Sequence, residues 1–159
     1  MSTPEFVDFY AAQKDRCLRA AVASGMAPDR AEDAVAEAFA RAWSRWRVVG
    51  AMDSPAAWVV RTAINQNTSW WRTRRREVVT DAAPDLPVTD ELGRVDLVAA
   101  IRRLPPRQRE VVVLRYLLDL DTRSTARSMG VSPGTVSAHL HHALASLREH
   151  LTISEGTPS

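Results

Sequence analysis

A single cysteine, a single lysine and no long apolar run set the first bounds on this 159-residue chain. Cys17 has no partner for an internal disulfide, so a reducing cytoplasm is the expected location. It falls among helix formers and reads as a small core hydrophobe. No stretch approaches the ~20 apolar residues of a membrane span, so no membrane insertion is expected. The opening MSTPEFVDFY lacks the basic-then-apolar order of a secretory signal. No strand alternation and no repeat stands out. There is also no P-loop, no GxSxG and no Cys-His pairing, so neither an enzyme nor a cofactor is expected.

The near-absence of lysine leaves the positive charge almost wholly to arginine, whose planar fork suits phosphate and carboxylate. The net charge is only +2, but the charges are segregated along the chain. Between Arg61 and Arg76 stand five arginines and no acid. From Glu77 to Asp96 the sign reverses: Glu77, Asp81, Asp85, Asp90, Glu91 and Asp96 face Arg94 alone. Basic, acidic, basic predicts two nucleic-acid-facing modules and a tether that avoids DNA.

Arg107 to Leu147 reads as a helix, a tight corner, a short helix, a turn and a longer helix. Its expected core is Val112, Leu114, Leu117 and Leu118, then Ala126 and Met129, then Val136, Leu140, Leu144 and Leu147. Gly130 suits the positive φ that ends a helix tightly, Ser132 offers an N-cap oxygen, and Pro133 fits the first helical position. A short helix, a glycine-containing turn and a capped second helix are the signature of a helix-turn-helix, whose second helix enters the DNA major groove.

Upstream, Thr3-Pro4-Glu5 opens a helix that Gly25 breaks, and a second helix spans roughly 28 to 46. Val35, Phe39, Trp43 and Trp46 read as its core stripe. On its other side stand Glu32, Asp33 and Glu37, without the histidine or cysteine that a metal site would add. Arg47 to Asp53 reads as a loop exposing Val48, Val49 and Met52. Ser54-Pro55 starts a helix of about 55 to 76, with Trp58, Val60, Ala63, Ile64 and Trp71 available to a core. Its other residues, including Arg61, Asn65, Gln66, Trp70, Arg72, Arg74, Arg75 and Arg76, mix amides, an indole and guanidiniums. Aromatics that stack on unpaired bases beside arginines that hold phosphates are the chemistry of single-strand binding. Residues 77 to 95 read as a linker, then Leu92, Val95, Leu97, Val98 and Ile101 line a helix stopped by Leu104-Pro105-Pro106. After Leu151 a disordered tail is expected.

Three segments, DRAEDAVAEAFARAWSRW, AWVVRTAINQNTSWWRTRRR and LPPRQREVVVLRYLLDLDTRSTARSMGVSPGTVSAHLHHAL, carry a resemblance over about residues 5 to 150. In this order, flanking an acidic linker, they resemble the extracytoplasmic-function sigma factors of bacterial RNA polymerase, in an arginine-rich, actinobacterial-looking form. The resemblance implies an all-α protein of two small helical domains. Residues 1–76 would be a region 2-like bundle for core polymerase and the −10 element. Residues 77–95 would be the linker, 96–152 a region 4-like helix-turn-helix for the −35 element, and 153–159 the tail. It implies core polymerase (the clamp helices of the largest subunit, and the flap) and promoter DNA as partners, with an anti-sigma protein as a possible third.

Carried onto this chain, the resemblance puts Glu32, Asp33 and Glu37 against the clamp helices. Val48 and Met52 would border a flipped-out base, and Asn65, Trp70, Trp71, Arg72, Arg74, Arg75 and Arg76 would handle melted DNA and phosphates. Arg123, Ser132, Gly134, Thr135, Ser137, Ala138, His139 and His142 would meet the −35 element. Ala36 stands where the family usually has glutamine. Ser137, His139 and His142 stand where it favours basic residues, and Thr125 where it favours an apolar one.

Two other readings compete. A metal enzyme built on His139, His141 and His142 lacks a carboxylate or cysteine nearby in sequence. A stand-alone helix-turn-helix regulator leaves the aromatic, arginine-rich helix at 55 to 76 without a purpose.

Overall fold

A computed structural model describes the backbone of residues 3–77 and 92–155 and the side chains of residues 5–66 and 97–150. The described secondary structure is entirely helical. It divides into two compact units, one built mainly from α1 to α4 and the other from α5 to α8. Most of the acidic linker lies outside the described residues. The helices on either side reach to Glu77 and back to Leu92, so both ends of the expected 77–95 linker are helical.

In the first unit, α1 (Thr3–Ala23), α2 (Pro28–Ser44), α3 (Trp46–Val49) and α4 (Pro55–Glu77) follow one another. Their core is built on small residues: Ala31, Ala34, Ala38 and Ala42 of α2 and Ala56, Ala57 and Ala63 of α4 are all buried. Short side chains let two helix backbones approach closely, and α2 and α4 are in extensive contact. Cys17 is fully buried among them, as expected.

An aromatic ladder closes the unit: Phe6, Phe9 and Tyr10 of α1 meet Phe39, Trp43 and Trp46, with ring centroids 5.0 to 5.6 Å apart. The expected four-residue core stripe holds only in part. Val35 and Phe39 are buried and Trp46 is half-buried, but Trp43 is 47% exposed. The helix stops first: Ser44 Oγ donates to the Arg41 carbonyl at 2.9 Å, and Arg45 leaves helical geometry. Trp46 therefore belongs to α3, while Trp43 sits at an edge with Phe6 beside it.

The segment expected as a loop from Arg47 begins as that short helix, with the Val48 and Val49 amides both bonded to the Arg45 carbonyl at 2.9 Å. One turn sorts its side chains, leaving Val48 63% and Met52 39% exposed while Val49 is buried. The sequence places Val49 outside, and helical geometry turns it inward. Ser54 caps α4 as its sequence promises, its Oγ accepting from the Ala57 amide at 3.1 Å.

The second unit contains α5 (Leu92–Arg103), α6 (Pro106–Val112), a π-helical turn (Val113–Leu117), α7 (Thr122–Met129) and α8 (Pro133–Glu155). Ala100 and Ile101 of α5, with Leu104 just after it, pack with Val112, Ala143 and Leu147. The backbone of α8 runs on to Glu155, past the expected stop at Leu151; residues 156–159 lie outside the described set.

The π turn changes which residues are inside. A regular helix would bury Val112, Leu114, Leu117 and Leu118. Val112, Leu114 and Leu118 are buried as expected, but Val111 and Val113 are buried as well, and Leu117 is only half so. This stretch is enclosed from two sides, by α8 and α7, and the wider turn rotates successive side chains differently. The corner after it is tight: the Leu118 amide bonds the Val113 carbonyl at 3.2 Å and the Leu120 amide the Leu114 carbonyl at 3.1 Å. Asp119 takes φ +55° there. Leu140 and Leu144 are half-buried at the edge of the core, and Leu97, expected inside, is 40% exposed.

Candidate nucleic-acid interface

The last turn of α2 and the middle of α4 enclose a cleft of about 640 Å³ lined by Arg41, Ser44, Arg45, Trp58, Thr62, Asn65 and Gln66. The α4 residues recur at a helical period, so one face of that helix forms a wall. Trp58 is half-buried here, where its spacing in the sequence offers it to the core. Two guanidiniums, an indole, two hydroxyls and two amides thus share one concave surface. An indole face stacks on any base, guanidiniums bind phosphate, and amides read base edges.

Among the residues expected to meet the −10 element, Asn65 lines this cleft. Val48 and Met52 are exposed on α3 and the following turn and do not line it. The α4 backbone is helical through Trp70, Trp71, Arg72, Arg74, Arg75 and Arg76, but their side chains lie outside the described residues. Arg41, Ser44, Arg45, Trp58 and Thr62 also line the cleft, and the sequence pattern alone does not single them out. The periodic Trp58, Thr62, Asn65 and Gln66 on one face is the available signal; the α2 half of the cleft is brought in only by packing.

Glu32, Asp33 and Glu37 are all exposed on α2. Glu37 Oε1 is 3.2 Å from Nη2 of Arg41. Among the described residues no cluster of three histidines, cysteines or carboxylates is placed to hold a metal ion.

In the second unit the turn is built as its residues dictate. Gly130 takes φ +69°, and the Val131 amide returns to the Ala126 carbonyl at 3.1 Å, closing α7. Asp121 starts α7, its Oδ1 accepting from the Ser124 amide at 2.7 Å. That bond holds its carboxyl below the usual aspartate range. Thr125 is fully buried where the family favours an apolar side chain, and its Oγ1 donates to the Asp121 carbonyl at 2.8 Å.

Ser132 caps α8, and Arg123, Ser132, Gly134, Ser137, Ala138 and His142 are exposed, with Thr135 and His139 half-buried. A Cβ on Gly134 would meet only Ser132 Oγ, at 3.9 Å, so the protein itself does not require glycine there. His141 adds to this surface: its ring stands 5.7 Å from that of His142, edge to face.

A capped helix-turn-helix in one unit and a cleft of arginine, indole and amide groups in the other define a two-module, all-helical DNA-binding protein of transcription. Comparison with known proteins gives the family. The pattern described as Sigma-70 region 2 matches residues 12–77, and that described as Sigma-70, region 4 matches residues 94–147. The chain is 38% identical over 152 residues to the RNA polymerase sigma-E factor of Streptomyces coelicolor, covering 92% of this chain and 86% of that one. It is 35% identical over 136 residues to the ECF RNA polymerase sigma factor SigL of Mycobacterium tuberculosis, covering 79% and 76%. In fold it is similar to the sigma factor RpoE of Bartonella quintana, solved in complex with the anti-sigma factor NepR. That match has a TM-score of 0.74 at 23% identity and covers 92% of this chain and 98% of that one. The chain belongs to the extracytoplasmic-function RNA polymerase sigma factors, proteins of transcription initiation that bind core polymerase and promoter DNA.

Proposed function

We propose that the two units divide promoter recognition between them. Residues 1–76 bind core polymerase and the −10 element, and 96–152 read the −35 element. The intervening 77–95 is the tether, and 153–159 are a terminal tail. The 14 residues between Glu77 of α4 and Leu92 of α5 reach at most ~50 Å, against about 70 Å for two turns of B-DNA. With the widths of the units added, both modules reach one promoter.

Glu32, Asp33 and Glu37 present carboxylates to the polymerase clamp. The single observation that carries the −10 assignment is the cleft, where Trp58 shares one concave surface with Arg41, Arg45, Asn65 and Gln66. Val48 and Met52 supply apolar contacts nearby in sequence. Trp70, Trp71, Arg72, Arg74, Arg75 and Arg76 extend the same helix along the strand. Extruding a base costs a few kcal/mol of stacking, which a preformed receptor offsets.

In the second unit Arg123, Ser132, Gly134, Thr135, Ser137, Ala138, His139 and His142 meet the −35 duplex. The protein acts in the cytoplasm and catalyses no reaction of its own. The family resemblance supports an anti-sigma protein as a further partner.

Transcription from a promoter library by core polymerase supplemented with this chain tests the reading. Template-specific initiation is expected, and Trp58→Ala with Asn65→Ala should abolish it while core binding persists. Failure to bind core stoichiometrically would reject it in favour of a stand-alone regulator.

A further inference from the structure

The face that α8 turns outward carries imidazoles and no fixed charge. From Pro133 to Leu147 there is no Lys, Arg, Asp or Glu. Val136, Ala143 and Leu147 lie inside, while Gly134, Ser137, Ala138, His141 and His142 are exposed on the other side. At a helical period His141 falls in the middle of that exposed face, in line with Gly134 and Ala138, and His139 is half-buried at its edge. The rings of His141 and His142 stand 5.7 Å apart, so they form one patch.

α8 packs against α5, α6 and α7. The charged groups these helices carry are Arg123 and Arg127 on α7, Arg107, Arg109 and Glu110 on α6, and Arg102 and Arg103 on the described part of α5. Glu110 Oε2 stands 3.7 Å from Arg107 Nη1. Asp119 and Asp121 belong to the corner before α7, where Asp121 accepts from the Ser124 amide. On α8 itself Arg148, Glu149 and His150 follow the patch, and Glu149 lies about 10 Å of helix beyond His142. No acid on α8 is within one turn of the imidazoles, whereas a docked duplex brings phosphates to them.

We propose that His139, His141 and His142 make binding of the −35 duplex proton-linked, so that the recognition helix grips phosphate as an imidazolium surface in mild acid and loses that grip in mild base. A neutral imidazole gives a phosphate one N–H donor; the imidazolium gives two and a positive charge. A phosphate beside the ring favours the charged form, so protonation and DNA binding reinforce each other. Affinity therefore rises as pH falls through the range in which histidine ordinarily titrates. The inference rests on the proposed −35 reading and adds the proton to it as a regulator.

The test uses holoenzyme formed from core polymerase and the full chain on two versions of one promoter, one with the −35 duplex and one with it cut away. The ratio of the two affinities isolates the contribution of the second unit. In wild type that ratio should rise about tenfold from pH 8 to pH 6, as one group gaining one pH unit of proton affinity would give. Its slope against log salt should be steeper at pH 6, by about 1 for each imidazolium that reaches phosphate. The triple variant His139→Gln, His141→Gln, His142→Gln should show the same ratio and slope at both pH values. The corresponding arginine variant should keep the steep slope at both. A wild-type ratio near one at both pH values overturns the −35 reading and this inference together. A ratio above one that ignores pH, or that responds equally in the glutamine variant, overturns the inference alone. If the glutamine variant folds poorly the arginine variant decides, and a pH response in it equal to that of wild type overturns the inference.

Discussion

Ser132 Oγ lies 3.1 Å from the Thr135 amide nitrogen and 2.9 Å from Thr135 Oγ1. One hydroxyl therefore both caps the recognition helix and engages a side chain assigned to the −35 contact. Ser132→Ala should cost about 1 kcal/mol of stability through the lost cap. For a domain of this size that lowers Tm by about 4–8 °C. Because Thr135 loses its partner as well, −35 affinity should fall further than unfolding accounts for. DNA titration well below the new Tm checks this.

Two corners of the second unit hold positive φ, and they call for opposite substitutions. Gly130 has φ +69°, and nothing lies within 4 Å of where a Cβ would stand, so Gly130→Ala meets conformational strain and no clash. A cost of about 1–2 kcal/mol is expected. Asp119 adopts φ +55°, so Asp119→Gly should be more stable than Asp119→Ala by a similar margin. Denaturant midpoints of the three variants decide.

Acid should loosen α7 through its cap. The Ser124 amide bond comes first among the causes that hold Asp121 below the ordinary aspartate range, and this depressed value raises folded-state stability wherever the unfolded carboxyl is already ionised. The contribution is present above about pH 4, where the unfolded group has lost its proton, and disappears as pH falls through the lower folded value. Asp121→Asn keeps a capping oxygen without the charge. The Tm difference between wild type and this variant should shrink on acidification below about pH 4, and a constant difference would contradict the assignment.

The arginine run Arg74-Arg75-Arg76 should act on DNA as counterion-releasing charge. Replacing all three with glutamine is expected to reduce the slope of log K against log salt by roughly 2–3 for holoenzyme on promoter DNA. An unchanged slope would show that these guanidiniums do not reach phosphate.

Cys17 should be chemically silent in the native protein. Burial pushes its thiol up to about 12, and its Sγ lies 3.9 Å from the Ala56 carbonyl oxygen. Thiol-labelling in native buffer at about pH 8 should proceed orders of magnitude more slowly than in denaturant, tracking unfolding. Rapid labelling of folded protein would disprove the packing around it.

The helix ends are legible in the sequence because capping is local chemistry. Ser54, Ser132 and Gly130 sit where a cap oxygen or a positive φ is needed, and those requirements span only a few residues. The helix-turn-helix and the helical class follow from the same short-range rules. Trp43 and Trp58 depart from expectation for a shared reason: an aromatic on a helix reads as core until the neighbouring helix shows how much of it is covered. Val49, Val111 and Val113 depart the other way, because a short helix and the passage into a π turn rotate side chains out of the 3.6-residue register.

By itself the sequence determined the caps at Ser54, Gly130 and Ser132, the reversal of charge along the chain, and the family to which the chain belongs. Tertiary structure alone decided that Arg41 of α2 and Arg45 just beyond its end share a cleft with Trp58 and Gln66 of α4. Residues on two helices become neighbours only through the alanine-lined contact between them, and no spacing along the chain encodes that approach.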